Sequence, residues 1–283
     1  MSQLTKKHYL KMKKPILFFS IGIFFLVVSC TTINPFTGKK TLNFVSNDQL
    51  FPSSFQQYGT FLKENKVITG TVEAKRIETV GIKIKTAAEQ YLNANGFQGY
   101  LKDYSWEYKL VDSKEVNAWC MPGGKIVFYT GILPICKDDA GIATVMAHEV
   151  AHALANHGAQ RMSAAQLQEL GAAGISIATG TQSAEKQEMW QQYYGLGSQV
   201  GVMLPFSRNH ESEADMIGLK LMAIAGYNPD NAVIFWERMA ANATGNKPME
   251  IMSTHPSDAT RISKLKSQIP EAKLEAKKFG VNF

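Results

Sequence analysis

Cysteine is scarce in this sequence, at three in 283 residues. That excludes a disulfide framework, and a chain of this length needs none to bury an ordinary hydrophobic core. There is no internal repeat and no low-complexity tract, so a helical repeat array is excluded as well. No apolar run is long enough to cross a bilayer. The clearest, residues 16–28, makes about 20 Å of helix against a hydrocarbon core of about 30 Å. A real excess of positive charge is also missing. The net +6 comes almost wholly from Lys6, Lys7, Lys11, Lys13 and Lys14; residues 30–283 hold 25 basic and 24 acidic side chains. A chain so nearly neutral lacks the electrostatic footprint of nucleic-acid binding.

What the amino terminus does hold is a lysine-rich stretch followed by a short apolar run, the order of a secretory signal. Val27-Val28-Ser29-Cys30 resembles a lipobox, in which cleavage precedes the cysteine and its thiol carries diacylglycerol. Such a lipid anchors a protein to the membrane surface without spanning it. Thr31 and Thr32 follow, and no Asp stands directly after Cys30 to retain the protein at a Gram-negative inner membrane. The expectation is an exported protein, lipid-anchored at the periplasmic face of the outer membrane. Residues 1–29 read as the signal, 30–48 as the lipidated cysteine and a Pro35- and Gly38-containing tether, and 49–283 as the folded domain. In an oxidising compartment Cys120 and Cys136 either pair or remain buried thiols; sequence does not choose between them.

Periodicity predicts a long helix over about 71–95 that stops at Gly96. Trp106, Tyr108 and Leu110 alternate with polar residues and predict a strand over about 105–111. A second strand, Lys125, Ile126, Val127, Phe128 and Tyr129, follows the turn Pro122-Gly123-Gly124. From Asp138 onward the chain reads as helical. Asp138 or Asp139 caps a helix reaching about His157, and another runs from about Ser207 to Ala225. The small, apolar stretch 171–180 is too short to be a membrane span.

The first of these carboxy-terminal helices contains His148-Glu149-Val150-Ala151-His152. Residues four apart share a helix face, so both imidazoles can reach one ion, while Glu149 stands one position on, where it can touch a water but not readily the same ion. This is the helix of a metalloprotease. The motif is short, and a catalytic zinc needs a third protein ligand. A histidine six places after His152 is absent, because that residue is Gly158. A carboxylate from another helix is the remaining route. Glu211 and Asp215 are four apart and face one side; one can bind the ion while the other hydrogen-bonds a ligand histidine.

At this point the sequence resembles the HtpX-like and CAAX-prenyl-protease-type zinc metallopeptidases. The resemblance rests on the His148–His152 motif, on Arg208, Glu211, Glu213, Ala214, Asp215 and Gly218, on the segments 117–124 and 129–133, and on Ser253-Thr254-His255-Pro256 with Arg261-Ile262. These blocks fall in order across about residues 35–270, and the small periplasmic lipoprotein members look most alike. The resemblance implies an α+β, mostly helical zincin-type domain with a small sheet beside the zinc helix. It implies one zinc per chain on His148, His152 and Glu211, with Asp215 behind a ligand histidine and a structural role for Glu213. It assigns His255 and Arg261 to steadying the transition state or controlling access to the metal. His157 and His210 receive no role beyond packing.

The function expected is a zinc-dependent endopeptidase with Glu149 as general base, acting on unfolded or misassembled envelope proteins. The strand Lys125–Tyr129 is expected either to pair with the substrate as a sheet edge or to lie inside the sheet. The competing reading is a non-proteolytic, chaperone-like module for outer-membrane assembly, with His255 closing the site as a fourth ligand. Sequence says nothing of oligomeric state.

Overall fold

The computed structural model describes residues 31–199, 203–242, 250–255 and 259–283. The leader, Cys30 and Pro256 lie outside the described residues. The fold is α+β and mostly helical, as expected. A two-stranded hairpin, β1 (Thr31–Ile33) and β2 (Lys40–Leu42), leads into α1 (Asn47–Glu64). A four-stranded sheet follows, made of β3 (Val67–Ile68), β4 (Glu107–Val111), β5 (Ala118–Met121) and β6 (Lys125–Tyr129), with α2 (Val72–Ala94) inserted after β3. The chain continues through the short α3 (Leu133–Cys136), α4 (Asp139–Leu154), α5 (His157–Thr179) and α6 (Ala184–Ser198). It ends with α7 (Leu204–Ile224), α8 (Asp230–Asn242), α9 (Glu250–Thr254) and α10 (Ala259–Lys278).

The sheet order is β3-β4-β6-β5. β6 therefore pairs on both sides, parallel with β4 and antiparallel with β5. This corrects the reading of Lys125–Tyr129 as a substrate edge. Its first four residues are all buried, and a backbone covered on both sides has no free hydrogen-bonding groups to offer. The open edge beside the helical half is β5. Ala118, Cys120, Ile126 and Phe128 point into the main core, while Trp119, Met121 and Val127 meet Tyr58, Phe61 and Leu62 of α1 on the other face.

The segment read as a tether is docked in part. Phe36 is buried and stacks on Tyr91 of α2 at 4.8 Å, and the backbone N–H of Phe44 donates to Ser163 Oγ at 2.9 Å. An aromatic side chain that stacks against a helix removes more apolar surface than a free tether could keep in water.

α4 is the centre of the molecule, buried from Gly141 to Leu154. Its start is set by Asp138, whose carboxylate accepts the Gly141 N–H at 2.9 Å, and by Asp139 in the first turn. Its end comes three residues earlier than periodicity suggests. Asn156 adopts a left-handed φ of 55°, so the chain turns and His157 opens a new helix. The last carbonyls are not orphaned: Tyr100 donates to Leu154 O at 2.7 Å and Gln160 to Ala155 O at 2.7 Å.

α7 crosses α4 closely because Gly218 has no side chain. A Cβ there would lie 3.1 Å from the His148 backbone nitrogen. Gly218→Val is expected to destabilise the fold by about 1–3 kcal/mol through overpacking. It should also weaken metal binding, because the two ligand-bearing helices would be pushed apart. Thermal unfolding and metal titration of the variant check both expectations. Among the described residues no helix is long and apolar enough to cross a membrane.

Candidate metal centre

The crossing of α4 and α7 brings His148, His152, Glu211 and Asp215 together; His255, just after α9, and Arg261 of α10 join them. All six are buried, as is Glu149. Glu211 Oε2 lies 3.4 Å from His148 Nε2, and its Oε1 lies 3.3 Å from His152 Nε2. The two histidine Nε2 atoms are 3.1 Å apart. His255 Nδ1 stands 2.8 Å from Glu211 Oε2 and 3.1 Å from His148 Nε2. These four residues each aim one donor atom at a common point, all within 4.8 Å of one another.

The donor set fits a zinc ion on two counts. Ligand bonds of about 2.0–2.1 Å in a tetrahedron place donors roughly 3.3 Å apart, and the His148, His152 and Glu211 donor atoms are 3.1–3.4 Å apart. The charge also fits. Three buried carboxylates, Glu149, Glu211 and Asp215, face one guanidinium, Arg261. With His148 neutral, as a ligand to the ion would be, the two surplus negative charges are what a divalent cation balances.

Burial, neighbouring charges and hydrogen bonds together set the protonation of the centre. Burial pulls the His148 imidazole down, but Asp215 and Glu211 outweigh it and hold its pKa at about 9. Burial pushes Glu211 up, yet hydrogen bonds from His148, His152 and His255 bring it far below the usual carboxylate range. Asp215 is also held low. Its burial acts upward, and the Arg261 charge and the His148 hydrogen bond act downward and prevail. Burial pushes the His152 imidazole well below its ordinary value. Asp215 Oδ1 meets His148 Nδ1 at 3.0 Å, the contact that orients a ligand histidine.

Glu149 behaves differently from the four convergent residues. Its Oε1 is buried without a hydrogen-bond partner among the described residues. The ring nitrogen Nε2 of His255 lies 3.4 Å from it. Arg261 is fully engaged: Nε and Nη2 bind both oxygens of Asp215 at 2.8 and 2.7 Å, and Nη1 reaches the His255 carbonyl at 3.3 Å. Its guanidinium lies over the Trp236 ring at 3.5 Å.

Of the sequence-predicted residues, the structure brings together all three expected ligands, the base, Asp215, His255 and Arg261, and leaves Lys125–Tyr129 inside the sheet. Cys120 and Cys136 are free thiols. Burial holds the Cys120 thiol well above its ordinary pKa. What sequence missed is His157. It is fully buried, with Nδ1 2.9 Å from His152 Nδ1 and Nε2 2.8 Å from Glu213 Oε2. A buried imidazole five residues after a ligand histidine gives no periodic signal, because the helix ends between the two.

A buried site of two imidazoles and one carboxylate on crossed helices, with a neighbouring carboxylate outside the donor set, defines the zincin class of metallopeptidase site. The family model described as peptidase family M48 matches residues 83–269, and the chain belongs to that family. It is similar to the mitochondrial metalloendopeptidase OMA1 of Saccharomyces cerevisiae, 36% identical over 204 residues that cover 70% of this chain and 56% of that protein. The same-named protein of Schizosaccharomyces pombe is 38% identical over 176 residues, covering 62% and 50%. The beta-barrel assembly-enhancing protease of Escherichia coli is 28% identical over 184 residues, covering 62% and 37%. The chain thus spans about half the length of these relatives or less.

Proposed function

We propose that this chain is a zinc-dependent endopeptidase, of the small lipoprotein branch of its family, that cleaves unfolded or misassembled envelope proteins. Cys30 carries the lipid that holds it to the membrane, and residues 49–283 with the docked hairpin form the catalytic unit. The observation that carries the reading is Glu149 Oε1, a buried carboxylate oxygen with no hydrogen bond, beside a donor set fit for zinc. A purely structural zinc site has no use for such a group, which disfavours the chaperone-like reading. The relatives named as endopeptidases, and the one named for β-barrel assembly, support the activity and the envelope setting.

His148, His152 and Glu211 would hold the ion, which when bound supplies a Lewis acid and makes water easier to deprotonate. Glu149 takes the proton of the attacking water and passes it to the leaving amine. Asp215 keeps His148 oriented, and Arg261 keeps Asp215 in place. The substrate strand lies along β5, the open edge, whose Cys120 flanks the site; it pairs by backbone and so accepts extended chains of varied sequence.

His255 closes the site in this state. It takes the fourth position of the donor set, and the segment carrying it is tied down by the Ile251 N–H donating to Val116 O at 3.2 Å, just ahead of β5. His255 therefore controls access to the metal. Casein digestion tests both parts. Wild type should cleave slowly, lose activity to a chelator and regain it with zinc, and His255→Ala should cleave several-fold faster. Cleavage that persists in chelator would sink the metallopeptidase reading; a His255→Ala rate below wild type would sink the latch.

A further inference from the structure

Behind His152 lies a row of side chains that hydrolysis does not use. His157 is stacked face to face on His210, with ring centroids 4.1 Å apart and planes inclined by 11°. His210 Nε2 meets Gln160 Oε1 at 3.1 Å. That packing leaves the His157 ring no freedom to turn away from its two partners, His152 on one side and Glu213 on the other.

The protons in this row are determined once a metal sits on His152 Nε2. Two ring nitrogens 2.9 Å apart share one hydrogen. With its Nε2 lone pair committed to the metal, a neutral His152 carries its hydrogen on Nδ1 and donates to His157 Nδ1. His157 then carries its own hydrogen on Nε2 and donates to the Glu213 carboxylate. Each nitrogen has one partner and each contact one proton, so a single carboxylate selects the metal-competent form of His152 through a second imidazole.

The outer end of the row is not on α7 alone. Glu213 opens into a cleft of about 690 Å³ between α7 and the β1–β2 hairpin. Thr37 and Lys39 of that hairpin line the same cleft as Glu213. The hairpin is itself fixed by the Phe36–Tyr91 stack and by Ser163, which lies on α5 as His157 does.

We propose that His157 and Glu213 are positioning residues that orient His152 on the metal, and that Thr37 and Lys39 hold the outer end of this relay. Docking of the amino-terminal hairpin thereby sets the affinity of the metal site. The proposal rests on the metal-centre reading above. Partners that orient a ligand histidine change metal affinity by about 10–100-fold when lost, and the relay is expected to fall in that range.

The test is zinc affinity of the full-length protein in detergent, measured by competition with a chromophoric chelator, with the cobalt absorption spectrum as a second readout. His157→Phe keeps the stack on His210 and removes both hydrogen bonds; Glu213→Gln removes the charge. Both should bind zinc about 10–100-fold more weakly and shift the cobalt bands. Glu213→Asp should recover part of the affinity. Thr37→Val with Lys39→Ala should weaken binding several-fold. Affinities within twofold of wild type for His157→Phe and Glu213→Gln would overturn the relay, and an unchanged Thr37/Lys39 variant would remove the hairpin from it. Glu211→Gln serves as the control for the centre itself. If wild type and that control bind zinc equally poorly, the metal-centre reading fails; if they differ as expected, any failure belongs to the relay alone.

Discussion

Glu149→Gln is expected to lower peptide-bond cleavage by about 10²–10⁴-fold while the protein keeps its full complement of zinc. The substitution is nearly isosteric, so packing around a residue only 4% exposed is preserved. What changes is proton affinity: an amide cannot take the proton that a carboxylate takes from water. Metal binding should persist because Glu149 is not among the four residues that converge on one point. Stability should persist too, because Glu149 Oε1 makes no hydrogen bond among the described residues that the amide would forfeit. Initial rates on casein, alongside zinc stoichiometry by atomic absorption, decide the matter. A variant with full zinc and a rate within threefold of wild type would remove Glu149 from the reaction.

Arg261→Ala is expected to cost about 3–5 kcal/mol of stability in the metal-free protein, the usual penalty for stranding a buried charge. Asp215 is 7% exposed and receives two charge-assisted hydrogen bonds from Arg261. Without them its carboxylate retains, among the described residues, the His148 contact. The lost stacking on Trp236 adds to the penalty. The melting temperature should drop by roughly 10 °C. Arg261→Lys should rescue little, since an ammonium can neither bind both oxygens in one plane nor stack in the same way. Removing Asp215 as well should recover much of the loss, because no charge is then left stranded. If the single and double variants melt alike, the pair is not the clamp its geometry suggests.

These two residues differ in how they became visible. Glu149 was legible in the chain because it lies inside a motif whose five positions are covalently spaced, and a helix turns that spacing into a shared face. Glu211 and Asp215 were legible for the same reason on a second helix. Arg261 was legible only as part of a resemblance, and its work on Asp215 appeared when α10 was packed against α7. The strand Lys125–Tyr129 shows the opposite limit. Its length and position were correct, but a short apolar run reads alike at the edge and in the middle of a sheet.

His157 and Glu213 mark where local reasoning stopped. They are 56 residues apart and meet at 2.8 Å, a distance set by the left-handed turn at Asn156 and by the passage of α7 under α4. The same holds for His255, which reaches Glu211 from 44 residues away. The segment read as a tether is a similar case: Pro35 and Gly38 mark a loop, and only the presence of Tyr91 opposite Phe36 shows that part of it docks.

By itself, then, the sequence determined what is periodic and near in the chain: the long helices and their caps, the two main strands, the pair of imidazoles, the pair of carboxylates and the base between them. The tertiary structure decided what depends on which elements meet: the sheet order that buries β6, the approach of His255 to Glu211, the contact of Arg261 with Asp215, and the row of His152, His157 and Glu213. The physical reason is that helix and strand spacing are properties of a few consecutive residues. Hydrogen bonds across the core depend on register and close approach between segments that no local pattern encodes.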